Sequence, residues 1–150
     1  MAFNAAYADE AGEYRLPEAA GLQAFLARLV ELDGAGRLES VVWEKFPGPI
    51  RVLLGNKYVF QPWWDHLNRL PDSDNWKERF ERANRAASHA LADRDTGKIL
   101  GVVFVRLYTL RNQLIHGGAT WNGSVNREQL RDARAIMSAL VPFIIEIMMD

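Results

Sequence analysis

Apolar residues in the first part of the chain recur at the three- and four-residue spacing of amphipathic helices. Pro17 suits a first helical turn, and the apolar positions between it and Gly34 keep this spacing: Leu22, Phe25, Leu26, Leu29 and Val30. A second helix is predicted over residues 38–46, and the Pro-Gly-Pro sequence at 47–49 is expected to break it. The beginning of the chain therefore predicts one long and one short helix.

The middle of the chain is less regular. The apolar and aromatic stretch 50–70 is interrupted by Gly55-Asn56 and by Pro62, which predicts two short helices, or one helix and an irregular segment. A longer helix is predicted over 75–94, with N-caps available at 72–74, because its apolar residues form one stripe: Trp76, Phe80, Ala83, Ala87 and Leu91.

Two long helices are predicted in the last third of the chain. The Asp-Thr-Gly sequence at 95–97 predicts a turn, and residues 99–115 are apolar on nearly every side, as in a central helix packed by several neighbours. Gly117 and Gly118 provide a left-handed residue that ends this helix. Asn126 predicts the start of a final helix to Met149, kinked at Pro142.

Composition narrows the fold and the possible chemistry. No segment alternates with period two, and 150 residues with 49% hydrophobic and 25% charged residues fit one globular domain. We therefore predict an all-α bundle of about five or six helices, a single domain over 1–150. The absence of cysteine excludes disulfides, zinc knuckles and thiol nucleophiles. Neither a secretory signal nor a membrane-spanning stretch is recognisable, so a cytoplasmic location is expected.

The strongest candidate for chemistry lies at the end of the apolar helix over 99–115. Asn112 and His116 are four residues apart, which places them within about 40° of each other on a helix, and Arg111 flanks them. A histidine near neutral pKa can take a proton from a ribose 2′-hydroxyl, while an arginine can clamp the phosphate oxygens. Capping of the helix end is the competing interpretation, because Arg and His side chains also bond to free carbonyl groups there.

The residues of this motif and their spacing resemble those of a known protein family. Arg111-Asn112, three further residues and His116 at the end of a penultimate long helix resemble the signature of the HEPN ribonucleases. The run from Arg106 to Trp121 is similar to the Apea-like HEPN group in particular, as are the segments Gly48-Pro49-Ile50-Arg51 and Asn56-Lys57-Tyr58. The likeness covers most of the chain.

The resemblance implies a function and a set of partners. HEPN domains are helical bundles that commonly form homodimers in which two such motifs face each other, and active members are metal-independent endoribonucleases of toxin–antitoxin and antiphage systems. Arg111 and His116 would then be catalytic, with Asn112 positioning them, and no metal or cofactor is expected. RNA, a second copy and an antitoxin or regulatory protein would be the partners. Members silenced by a nucleotidyltransferase carry a tyrosine where this chain has Gly118, so regulation of that kind is not expected.

Several further features allow two interpretations each. Arg127, Arg131 and Arg134 lie on one stripe that would guide an RNA backbone, or on an ordinary solvated face. A net charge of −1 requires any RNA contact to use such a local patch. The aromatic cluster over 58–66 would stack exposed bases or, as is more common, fill a core.

Taken together, these features predict a homodimeric endoribonuclease, with symmetric contacts through the apolar helix over 99–115. The alternative is a catalytically silent HEPN module that binds RNA, a nucleotide or a partner protein. The near-neutral charge of the chain favours that alternative slightly.

Overall fold

Seven α-helices account for most of the chain that the computed structural model describes, which is residues 16–115 and 124–149. They are α1 (Leu16–Leu32), α2 (Arg37–Ser40), α3 (Pro47–Leu54), α4 (Gln61–Leu67), α5 (Trp76–Ala92), α6 (Thr96–Ile115) and α7 (Ser124–Met149). A π-helix (Val41–Lys45) continues α2, and a 3₁₀-helix (Lys57–Val59) precedes α4. These residues contain no β-strand, so the predicted all-α bundle is confirmed.

Prolines begin helices in the irregular stretch between α2 and α5. Pro47 occupies the first turn of α3 and Pro62 the first turn of α4, where the missing N–H of proline costs no hydrogen bond. The Pro-Gly-Pro sequence therefore ends one helical segment and starts the next. Of the two alternatives predicted for residues 50–70, the structure has two short helices, the first of which begins earlier, at Pro47, and the described helices number seven.

The start of α5 differs from the prediction. Asn75 is the N-cap residue and its side chain makes no capping hydrogen bond, so the expected N-caps at 72–74 are wrong. The Ser73 hydroxyl donates to the Leu70 carbonyl instead (2.6 Å), and Asp72 has a positive φ of 59°. These residues form a tight turn because their side chains bond backward along the chain, which competes with helix capping.

Helix α6 is the centre of the bundle, as predicted. Ile99, Leu100 and Val103 are completely buried, and α1, α3 and α5 all pack against this helix. It begins at Thr96 and not after the predicted turn, because the Asp95 carboxylate accepts the Lys98 backbone N–H (3.1 Å) and caps the first turn.

Helix α1 lies antiparallel to α6, and two glycines of α6 mark the contact. Gly97 faces Ala27, and Gly101 faces Gln23 one turn further along. The start of α1 is therefore directed toward the end of α6 that carries Arg111.

Helix α7 is the longest element, with 26 residues. It begins at Ser124, so Asn126 lies inside the helix and is not its N-cap, and Pro142 lies in the interior. Its second half is held by an ion pair between Arg37 and Glu146. Gly117 and Gly118, the predicted helix stop, lie outside the described residues. Neither α7 nor any other described helix combines the length and apolar character needed to cross a membrane.

Candidate nucleic-acid interface

Two of the three predicted catalytic residues lie on the last turns of α6 that the structure describes. Arg111 is exposed and Asn112 is half-buried. The Arg111 guanidinium donates to the Asn112 side-chain oxygen across 3.5 Å, at the long limit of a hydrogen bond. His116 lies outside the described residues, so its contact with Arg111 stays a prediction.

Arg111 lines a groove between α6 and α7 with a volume of about 310 Å³. Arg134 of α7 lines the same groove. The other lining residues are apolar or aromatic: Phe104, Leu107, Tyr108, Leu110 and Leu114 from α6, and Leu130, Ala133 and Met137 from α7. The structure thus brings one predicted catalytic residue and one predicted RNA-binding residue to a single concave site.

The charge of this groove is positive. Among the described residues that line it, Arg111 and Arg134 alone are charged, and no described carboxylate forms an ion pair with either of them. Guanidinium groups keep their charge at any working pH and bind phosphate with two parallel hydrogen bonds. An apolar floor with two guanidiniums fits a ligand with a flat ring and an anionic group.

The other two arginines of the predicted stripe lie outside the groove. Arg127 and Arg131 are both exposed on α7. The Arg131 side chain lies 3.9 Å from the carboxylate of its neighbour Asp132, which partly balances its charge. Of the three arginines, Arg134 alone lines the groove beside Arg111.

The aromatic cluster over 58–66 divides into an inner and an outer part. Trp64 is buried and its indole N–H donates to the Tyr58 carbonyl (2.8 Å), which confirms core filling for this residue. The Tyr58 side chain is 42% exposed and meets Trp63 edge to face, with ring centroids 4.9 Å apart. The Lys57 ammonium lies 5.3 Å from the centre of the Tyr58 ring and 5.5 Å from that of Trp63.

The segment before this cluster is tied to α7. The Asn56 side-chain amide donates to the Gln129 side-chain oxygen (2.7 Å), and Gln129 is buried. The sequence pattern did not single out either residue as functional, because a contact between positions far apart in the chain leaves no local spacing signal.

Arg106 is an unusual residue that the sequence pattern did not single out. It is 2% exposed, and its guanidinium lies 4.6 Å from the Phe60 ring centre and 5.7 Å from that of Phe80. One guanidinium nitrogen, Nη1, is buried with no hydrogen-bond partner. Burial lowers the pKa of Arg106 to about 10. The sequence feature that could have identified Arg106 as a buried charge is its position in the middle of a helix that is apolar on nearly every side.

Most apolar side chains of α6 are buried or half-buried against other helices of the same chain. Ile99, Leu100, Val103, Phe104 and Leu110 are buried against neighbouring helices. Leu114, beside the groove, is 47% exposed. Among the apolar residues of α6 whose side chains the structure describes, Leu114 is the exposed one, and it lies at the end that carries Arg111.

Metal ligands and known relatives complete the description of the site. In the described ranges no three His, Asp or Glu side chains come together as a metal site would require. Comparison of the chain with protein-family models, curated proteins and solved structures finds no match. A function for this chain therefore follows from its residues and their geometry.

Proposed function

We propose that the chain is a metal-independent endoribonuclease of the HEPN type. The observation that carries this proposal is the groove in which Arg111 and Arg134 line one ligand space and none of the other described lining residues is a carboxylate. Its volume of about 310 Å³ fits a nucleotide-sized ligand, since small-molecule sites begin at about 300 Å³. The motif that resembles the HEPN signature contains Arg111.

Each motif residue has a defined role in the proposed reaction. His116 accepts the proton of the ribose 2′-hydroxyl, the 2′-oxygen attacks phosphorus as the bond to the 5′-oxygen breaks, and the protonated His116 gives a proton to the 5′-oxygen as it leaves. Arg111 stabilises the negative charge that accumulates on the non-bridging phosphate oxygens. Asn112, in contact with Arg111, orients the guanidinium. The products carry a 2′,3′-cyclic phosphate and a 5′-hydroxyl.

The proposed enzyme is a homodimer that meets through the end of α6. Leu114 is 47% exposed next to Arg111, so its burial by a partner contributes about half of the roughly 1.5–3 kcal/mol for a fully exposed leucine. A two-fold axis there would bring two copies of Arg111 and His116 to one cleft. By its resemblance to HEPN proteins, the chain would act in toxin–antitoxin or antiphage defence in the cytoplasm, under an antitoxin or other regulatory protein.

A catalytically silent module is the second candidate, and the lining of the groove favours it. Eight of its ten lining residues carry no charge, so the groove can hold a nucleotide without chemistry. Such a module would bind RNA, a nucleotide or a partner protein through the same two arginines.

Incubation of labelled RNA with the protein in excess EDTA tests whether the chain cleaves RNA without a metal ion. We expect cleavage to persist and to fall by at least about 100-fold in Arg111→Ala and in His116→Ala. Arg28→Ala is the matched control, because Arg28 is an exposed arginine paired with Glu31 near the opposite end of α6. Equal traces of cleavage in all variants would contradict the enzyme and favour the silent module.

A further inference from the structure

The exposed part of the aromatic cluster carries a binding function of its own. We infer that Lys57, Tyr58 and Trp63 form a stacking surface for an unpaired RNA base and the phosphate beside it. This inference rests on the proposed function, since it names single-stranded RNA as the substrate of the site at Arg111.

The chemistry of these three side chains matches the two parts of a nucleotide. Tyr58 offers an aromatic ring with 42% of the residue exposed, and base stacking on such rings is tolerant of sequence. Lys57 places its ammonium over both rings and has no ion pair with a described carboxylate, so its charge is available to a phosphate.

The backbone of Tyr58 is held from both sides. Its N–H donates to the Asn56 side-chain oxygen (2.9 Å), and its carbonyl accepts the Trp64 indole N–H (2.8 Å). The edge-to-face contact with Trp63 fixes the ring as well. A surface ordered in advance loses little conformational entropy on binding, which favours a ligand contact over a mobile surface residue.

This surface is attached to both helices that form the groove. The 3₁₀-helix that contains Lys57 and Tyr58 packs on α6, which carries Arg111. Asn56 bonds to Gln129 of α7, five residues before Arg134. The stacking surface and the groove at Arg111 and Arg134 therefore contact the same two helices.

The nature of the surface selects single strands. In a duplex the base faces are stacked on each other and are not available to a protein ring, whereas loops and single strands present them.

Equilibrium binding of a fluorescent single-stranded RNA tests the inference, with all variants built on His116→Ala to prevent cleavage. We expect Tyr58→Ala to weaken binding about tenfold or more, while Tyr58→Phe stays close to its parent because the ring is retained. Lys57→Met should weaken binding and reduce its salt dependence. Lys45→Met is the matched control. Lys45, at the end of the π-helix, also has its ammonium over an aromatic ring, 5.5 Å from the ring centre of Phe143, and Phe143 lies in the second half of α7, away from Gln129.

Three results would overturn the inference: unchanged affinity in Tyr58→Ala, equal losses in Tyr58→Phe and Tyr58→Ala, or equally tight, Tyr58-dependent binding of the same sequence as a duplex. Binding and cleavage fail separately. If binding depends on Tyr58 but the protein with His116 intact does not cleave RNA in EDTA, the proposed enzyme activity is contradicted and the stacking surface is supported. If cleavage depends on Arg111 but binding does not depend on Tyr58, the enzyme activity is supported and the stacking surface is contradicted.

Discussion

Burial of the charged Arg106 side chain lowers the stability of the folded chain. Its guanidinium is buried beside the contacting rings of Phe60 and Phe80, and no described carboxylate pairs with it. Burial lowers the pKa of this guanidinium to about 10, which corresponds to a desolvation cost of about 3 kcal/mol. Cation–π contact with aromatic rings at a desolvated site offsets about 2 kcal/mol of this cost. The charge therefore destabilises the folded chain by about 1 kcal/mol.

Replacement of this charge by an apolar side chain of similar length should stabilise the protein. We expect Arg106→Met to raise the free energy of unfolding by about 1 kcal/mol, measured by urea denaturation. Arg106→Lys, which keeps a charge and loses the planar stacking, should lower it. A lower unfolding midpoint for Arg106→Met would show that the cation is a net stabilising group.

The same residue predicts a pH dependence with a defined sign. Above about pH 10 the unfolded chain, in which the pKa of Arg106 is higher, retains the proton that the folded chain has lost, so stability rises with pH there. Below pH 10 both states are protonated and the destabilisation is fully present. The advantage of Arg106→Met should therefore shrink as the pH rises from about 8 to about 11.

At the scale of the element, long helices were predictable and their ends were not. Helices α1, α5, α6 and α7 follow from apolar periodicity because each buries one stripe or, for α6, nearly every side. The start of α5 was misassigned because Ser73 bonds to the Leu70 carbonyl and not to the helix. The start of α6 was misassigned because the Asp95 carboxylate turns Thr96 and Gly97 into its first helical turn.

The arginine stripe of α7 can be ranked by its place relative to the groove. Arg134 lines the groove and Arg131 lies near Asp132, so Arg134→Glu should weaken RNA binding more than Arg131→Glu. Each change should reduce the slope of log affinity against log salt by about 1 per lost phosphate contact. A filter-binding titration with unchanged affinities and slopes would assign the stripe to an ordinary solvated face.

At the scale of the whole molecule, the sequence predicted the residues of the site better than their arrangement. The motif with Arg111 and Asn112 was proposed from its resemblance to the HEPN signature, because its spacing within one helix is a weak signal by itself. The groove was not, because Arg111 and Arg134 belong to different helices and meet only through the packing of the bundle. The Asn56–Gln129 bond is likewise a product of packing, without a local pattern in the chain.

The proposed dimer makes a separate prediction. Leu114→Glu places a charge on the exposed end of α6, so it should convert a dimer to a monomer and abolish cleavage with it. Leu32→Glu is the matched control, because Leu32 is 51% exposed at the end of α1. Light scattering after size exclusion gives the mass directly, and a parent protein that is monomeric at micromolar concentration would contradict the composite site.

The most direct measurement uses one RNA in two forms, with a ribose or a 2′-deoxyribose at the cleaved position, both incubated with the protein in EDTA. The proposed mechanism predicts cleavage of the all-ribose RNA to a 2′,3′-cyclic phosphate and no cleavage at the 2′-deoxy position, because the nucleophile is missing. Arg111→Ala should lose the activity on the all-ribose RNA. Cleavage at the 2′-deoxy position, or product ends without a cyclic phosphate, would contradict it.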